Sequence, residues 1–174
     1  MRRIAVPLLL GILFITLQTT LLASPPIQRI RPDIVLILTL YLGLSYPPIS
    51  GGILAFVMGY LMDLFSGNSF GLYTFSRPLL FYVAQLFNGR FYLEGYPSQF
   101  LFVFLFALVE GILDLILLTA LNPTPLGNLY PLLFSFHLPL SVFTGLITPI
   151  LFLLFNKGSL LLFSQPEMGT KERG

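Results

Sequence analysis

The sequence predicts an all-α protein: a membrane-embedded bundle of about six helices. Of its 174 residues, 56% are hydrophobic and only 9% are charged. A soluble domain carries about 25% charged residues, so this chain has too few to cover a water-facing surface. Its apolar runs are continuous and do not alternate with polar residues, which excludes a transmembrane β-barrel. The class is therefore a polytopic helical membrane protein.

The first predicted span, 4–23, follows Arg2 and Arg3. A basic start, an apolar run and Leu22-Ala23-Ser24 are also typical of a signal peptide. The run is about as long as a spanning helix, however, and longer than the apolar core of a usual signal peptide. We therefore expect an uncleaved first span.

Prolines bound the next two spans. Pro32 and Asp33 open the second, 33–46, and Pro47-Pro48 separates it from the third, 49–66. Both spans are short, and the two prolines could make them a tight hairpin that fails to cross the bilayer fully.

The later spans complete one predicted transmembrane domain, 1–163, followed by a polar tail, 164–174, that is predicted to be disordered. These spans are 71–89, 98–121 and 130–156.

The basic residues predict the orientation in the membrane. If the N-terminus is in the cytoplasm, two basic residues, Arg29 and Arg31, lie on the outer side of the membrane, and more lie on the inner side. The inner ones are Arg2, Arg3, Arg90, Lys157, Lys171 and Arg173. Since basic residues favour the cytoplasmic side, we expect both termini there.

Two predicted helices carry a stripe of small and acidic residues. The stripe on the third span is Gly51, Ala55, Gly59 and Asp63. The stripe on the fifth span is Ala107, Glu110, Gly111 and Asp114. Small residues let another helix approach closely, and an embedded acid must find a partner. We therefore expect both stripes to face the interior of the bundle.

The predicted topology gathers embedded polar side chains in the outer half of the bundle. These are Asp63, Arg77, Glu110, Asp114 and His137. A charge at the centre of a spanning helix costs about 2.5–3.5 kcal/mol, so Arg77 is predicted to face Asp63 or Asp114. Glu110 has no evident basic partner and is either protonated or bonded to Tyr, Ser or Thr side chains. His137 fits a packing role better than a ligand role. Glu110 and Asp114 fit a structural pair and a partner-binding or transport role equally well.

Motifs for catalysis and cofactor binding are missing from the sequence. There is no cysteine and only one histidine, which excludes thiol catalysis and Cys- or His-rich metal sites. Phosphate-binding Gly-rich loops, GxSxG and HExxH are also absent. We therefore predict no catalytic residue, no cofactor, no metal and no nucleic-acid partner.

Two motifs lie together within about 30–72. The run Arg31-Pro32-Asp33-Ile34-Val35-Leu36, followed by Tyr41-Leu42-Gly43 and Pro48, resembles the opening of the second span in the MreD family of rod shape-determining proteins. The Gly-rich run from Gly51, ending in Asp-Leu-x-Ser-Gly and followed by Gly-Leu, is similar to its third helix and the start of its fourth. The motif residues are Arg31, Pro32, Asp33, Gly59, Asp63, Ser66, Gly67 and Gly71.

The resemblance implies a non-enzymatic scaffold of the bacterial inner membrane that maintains rod shape and supports lateral peptidoglycan synthesis. It implies association with MreC, and through it with MreB, RodA and a class B penicillin-binding protein. It also implies a six-helix fold similar to the substrate-binding components of energy-coupling-factor vitamin transporters. Membrane lipid and proteins are then the expected partners, without a small-molecule ligand. The alternative is such a transporter component, with an outer pocket lined by Asp63, Arg77, Asp114 and His137.

Overall fold

The computed structural model describes residues 2–20, 32–66, 71–89, 95–121, 135 and 137–163. The described residues form six helices and no strand, which confirms the predicted helical membrane bundle. The helices are α1 Arg2–Thr20, α2 Ile34–Ser45, α3 Pro48–Ser66, α4 Leu72–Leu86, α5 Tyr96–Leu121 and α6 Leu138–Phe163. The predicted tail, 164–174, and the motif residues Arg31 and Gly67 lie outside the described residues.

The central helix of the bundle is α2. Its sequence is apolar all round, which is typical of a helix that is covered on every side. Residues 35–40 are all buried, as are Leu42 and Gly43. The other five helices all contact α2, while α3 packs most extensively on α4 and α5 packs on α6. Most of α2 is therefore surrounded by other helices.

Three helices, α3, α5 and α6, are long and apolar enough to cross a membrane. The 26 residues of α5 extend about 39 Å, more than the hydrocarbon thickness of about 30 Å. The third span, predicted at 49–66, corresponds to α3, whose 19 residues are enough to cross. By contrast, α2 has 12 residues and extends only about 18 Å.

The last helix continues to Phe163 rather than to the predicted 156. Its predicted start at 130 lies outside the described residues. The second and third helices are joined by only two residues and contact each other, although α2 packs more extensively on α4. The chain turns at Tyr46, whose extended backbone (φ −116°, ψ 154°) is the usual one before a proline.

The small-residue stripe of α3 lies against α4. A Cβ atom at Gly51 would overlap the ring of Phe81, and one at Gly59 would overlap the backbone carbonyl of Tyr73. Ala55, between these glycines, is fully buried. Close approach of the two helices therefore depends on the missing side chains, and it brings Asp63 to the start of α4.

Candidate functional site

The site begins at Asp33, the N-cap residue of α2. Its Oδ1 atom accepts a hydrogen bond of 2.8 Å from the backbone N–H of Leu36, which satisfies a donor of the first turn. Its own backbone N–H donates to the Thr144 hydroxyl of α6 at 3.1 Å. The start of α2 is thereby attached to α6, and Oδ2 of Asp33 is left for another partner.

The partner of Oδ2 is Arg77, which is fully buried in α4. Nη2 of Arg77 donates to Oδ2 of Asp33, and Nη1 lies 3.1 Å from Oε1 of Glu110 in α5. The guanidinium also lies over the ring of Tyr73, 5.4 Å from its centroid. A planar guanidinium can hold two carboxylates at once, which a lysine ammonium does less well. We call Asp33, Arg77 and Glu110 the ion-pair network; it joins α2, α4 and α5.

This network corrects the predicted pairing of the embedded charges. The prediction that Arg77 faces Asp63 or Asp114 is wrong, because its ion pairs among the described residues are with Asp33 and Glu110. Glu110, expected to lack a basic partner, shares this arginine. The physical reason is the position of α2, whose central place in the bundle brings its first residue between α4 and α5.

Asp63 has a separate, local role at the junction of α3 and α4. It is 3% exposed, and its carboxylate accepts the backbone N–H groups of Gly71, Tyr73 and Thr74 at 3.1, 3.0 and 2.8 Å. The Thr74 hydroxyl donates to it as well. The N-cap residue of α4 is Gly71, which has no side chain to serve this purpose. Asp63 therefore caps α4 from the preceding helix, where the helix dipole favours a negative charge.

Asp114 and His137 lie beside the ion-pair network without joining it. Asp114 is 8% exposed, and its Oδ1 atom has no hydrogen-bond partner. It interacts electrostatically with Arg77, but no ion pair within 4.0 Å joins it to any residue in the part of the chain described above. The imidazole of His137 packs on Gly111, where an added Cβ would lie 2.8 Å from Nδ1. Asp114 interacts electrostatically with Asp63 as well as with Arg77, and the clustering of all five side chains stays a prediction.

Sequence reasoning missed Thr144, whose hydroxyl oxygen accepts the hydrogen bond from the backbone N–H of Asp33. It belongs to a row of hydroxyl residues that are fully buried on α6: Ser141, Thr144 and Thr148. Their spacing of three and four residues places them on one face of an otherwise apolar helix. That pattern is a signal of an interior polar face and could have found Thr144.

The motif residues of the described chain meet at two places. Pro32 and Asp33 form the start of α2, and Gly59, Asp63 and Gly71 form the junction of α3 and α4. Ser66 is the last residue of α3. Both places are helix starts whose N–H groups are satisfied by an aspartate. The motif thus carries the two caps that set the positions of α2 and α4.

The family comparison agrees with this geometry. The family model described as rod shape-determining protein MreD matches residues 1–158. The chain belongs to the MreD family. It therefore has a role in rod shape determination as a bacterial membrane protein of the shape-determining system. MreD is a family of shape-determining proteins and not a known enzyme family. Comparison with curated proteins and with solved structures found no match, so the expected likeness to vitamin-transporter components stays a prediction.

Proposed function

We propose that this MreD-family chain is a non-enzymatic scaffold of the cell-elongation complex in the inner membrane. It binds an MreC-type protein, and through it MreB, RodA and a class B penicillin-binding protein. These contacts support lateral peptidoglycan synthesis and so maintain rod shape. The bundle, 1–163, is embedded as one domain, with both termini and the tail, 164–174, in the cytoplasm.

The observation that carries the proposal is that embedded charges are used between helices. Arg77 contacts Asp33 and Glu110, while Asp63 is occupied by N–H groups at the start of α4. Charges used in this way hold helices in fixed positions instead of lining a path for a solute. A fixed bundle with lipid-facing apolar sides suits a protein that acts by binding other membrane proteins.

The transporter alternative requires a cavity with polar groups for a vitamin-sized ligand. A groove of about 420 Å³ lies along α4 and the start of α3. Its lining residues are Pro48, Leu79, Tyr82, Val83, Gln85 and Leu86. None of the embedded charged residues contributes to this lining. The groove therefore gives no support to a ligand pocket built on Asp63, Arg77, Asp114 and His137.

Depletion of the protein in its own rod-shaped host tests the proposal. Cell width and the incorporation of a fluorescent D-amino acid into the side wall are measured during depletion. We expect wide or round cells with reduced side-wall labelling, and restored rods when the wild-type chain is supplied again. Cells that keep their shape while losing uptake of a nutrient would contradict the scaffold and favour the transporter.

The orientation is tested with single cysteines, because the chain has none of its own. Tyr96 and Ala120 are exposed near opposite ends of α5. With both termini in the cytoplasm, Ala120→Cys reacts with an impermeant maleimide in intact spheroplasts. Tyr96→Cys reacts only after the membrane is opened. The reverse pattern would overturn the proposed orientation.

A further inference from the structure

The helices of the bundle pack as two units. The first four, α1 to α4, pack mainly on one another, and α5 packs mainly on α6. Glycines bring segments into close contact inside each unit, because an added Cβ at five of them would lie 3.0 Å or less from its neighbour. These contacts are Gly11 with Met58, Gly43 with Ala84, Gly59 with Tyr73, Gly111 with His137, and Gly145 with Phe100. Helices packed this closely cannot shift against each other without overlap. We call α1–α4 the four-helix unit, and α5 with α6 the two-helix unit.

One half of the interface between the units is packed with aromatic and aliphatic side chains. Phe87, at the end of α4, lies edge-on to the ring of Phe106 in α5, with centroids 6.1 Å apart. Tyr41 of α2 adds ring contacts and a hydrogen bond to α6. The two-helix unit contributes these buried residues to the shared apolar core: Val103, Phe106, Ala107, Leu151, Phe152 and Phe155. On α5 they precede Glu110, and on α6 they follow Thr144, so they all lie on one side of the ion-pair network. We call this half the aromatic half.

The other half of the interface, the network half, is joined by polar contacts. Nη1 of Arg77 lies 3.1 Å from Oε1 of Glu110, and the N–H of Asp33 donates to the Thr144 hydroxyl at 3.1 Å. By contrast, the pair between Asp33 and Arg77 lies inside the four-helix unit. Separation of the units at the network half therefore breaks two polar contacts but leaves Arg77 beside a carboxylate. The large cost of an unpaired buried cation is thereby avoided.

We propose that the two units open and close at the network half. The contact of Arg77 with Glu110 is the latch of the closed form, and the aromatic half is the hinge. The two halves differ because packed rings lose many contacts when they separate, whereas carboxylate and guanidinium groups can bond to water that enters the opened half. Opening gives the bundle a second arrangement, and a bound partner can select between the two. This motion is a property of the bundle and does not depend on the proposed function.

Distances between pairs of nitroxide labels in lipid nanodiscs test the proposal, because the chain has no cysteine of its own. Leu64→Cys with Ile116→Cys places exposed labels on the two units at the network half. Leu86→Cys with Leu101→Cys does the same at the aromatic half. We expect Glu110→Gln to lengthen the first distance by about 2–5 Å and to leave the second unchanged. Lengthening of both distances, of neither, or of the second alone would overturn the proposal.

The reactivity of buried thiols supplies a second measurement that needs no change in the ion-pair network. Ser141 of α6 lies at the network half and Val103 of α5 at the aromatic half, and both are fully buried. With the network intact, we expect Ser141→Cys to react with N-ethylmaleimide about tenfold faster than Val103→Cys, because local opening exposes only the network half. Equal rates, or a faster reaction of Val103→Cys, would overturn the proposal.

Gly59→Ala separates release of the latch from general loosening of the bundle. It disturbs the contact of α3 with α4 inside the four-helix unit. Glu110→Gln should speed the reaction of Ser141→Cys by about tenfold, and Gly59→Ala should not. Equal acceleration by both substitutions would show that the thiol reports lost stability, and it would overturn Glu110 as the latch.

Discussion

Arg77 and Asp33 are 44 residues apart in the chain and form a hydrogen-bonded ion pair, in which Arg77 is fully buried and the Asp33 side chain is 13% exposed. Asp33 also caps α2 with its other carboxylate oxygen and donates its N–H to Thr144 of α6. Arg77 extends the connection to Glu110 of α5. Four of the six helices thus meet through three charged side chains and one hydroxyl. Since buried charges are costly when separated, this network favours one arrangement of the helices over others.

Replacement of Arg77 by glutamine is expected to destabilise the bundle strongly. It leaves the buried Glu110 and the partly buried Asp33 without this cation, which costs about 3–5 kcal/mol. Thermal unfolding of the purified protein in detergent measures the loss. Arg77→Lys is the matched control: it keeps the charge and is expected to lose less, because an ammonium lacks the guanidinium fork that contacts both carboxylates. Wild-type stability of Arg77→Gln would show that the network does not hold the helices together.

Replacement of Thr144 by valine tests the link between α2 and α6. Valine has the same shape but leaves the N–H of Asp33 without an acceptor, which costs about 1–3 kcal/mol. Thr148→Val is the control, because Thr148 is equally buried and its hydroxyl donates only to the Thr144 carbonyl of its own helix. We expect Thr144→Val to lower the unfolding temperature more than Thr148→Val. Equal losses would mean that the hydrogen bond from Asp33 contributes nothing measurable.

Hydropathy and proline positions predicted α2 closely, at 33–46 against Ile34–Ser45 in the structure. They suffice because prolines stop helices and lipid-facing or core helices are apolar throughout. The end of α6 was predicted at 156 but lies at Phe163, since two polar residues, Asn156 and Lys157, do not by themselves end a helix.

The partners of Arg77 could not be predicted in the same way. Pairing depends on which helices are neighbours and on how each is rotated, and hydropathy reports neither. Motif residues that are close in sequence also have different roles: Asp33 pairs with Arg77, whereas Asp63 caps α4. The inward direction of the two small-residue stripes was predictable, because an acid among small residues disfavours contact with lipid.

Replacement of Asp63 by asparagine is expected to loosen the start of α4. The amide keeps one acceptor oxygen but loses the charge and the second oxygen, so the N–H groups of Gly71, Tyr73 and Thr74 cannot all keep an acceptor. The expected cost is about 1–3 kcal/mol. Hydrogen exchange at Tyr73 and Thr74 should become faster, while Tyr60→Phe, on the exposed face of α3, should leave it unchanged. Unaltered exchange in Asp63→Asn would contradict the capping role.

Replacement of Gly59 by alanine is expected to separate α3 from α4. The new methyl group would overlap the Tyr73 carbonyl and approach the backbone of Thr74, and neither can move without shifting α4. Overpacking of this kind costs about 1–3 kcal/mol, and here it also withdraws Asp63 from the N–H groups that it caps. Gly95→Ala is the control, since a Cβ there meets its nearest neighbour at an ordinary 3.6 Å. The unfolding temperature should therefore fall for Gly59→Ala and remain near the wild-type value for Gly95→Ala.

A double substitution tests whether the loss acts through the cap. If it does, Gly59→Ala combined with Asp63→Asn should cost less stability than the sum of the two single substitutions. Strict additivity would mean that close packing at Gly59 and capping by Asp63 stabilise the junction independently.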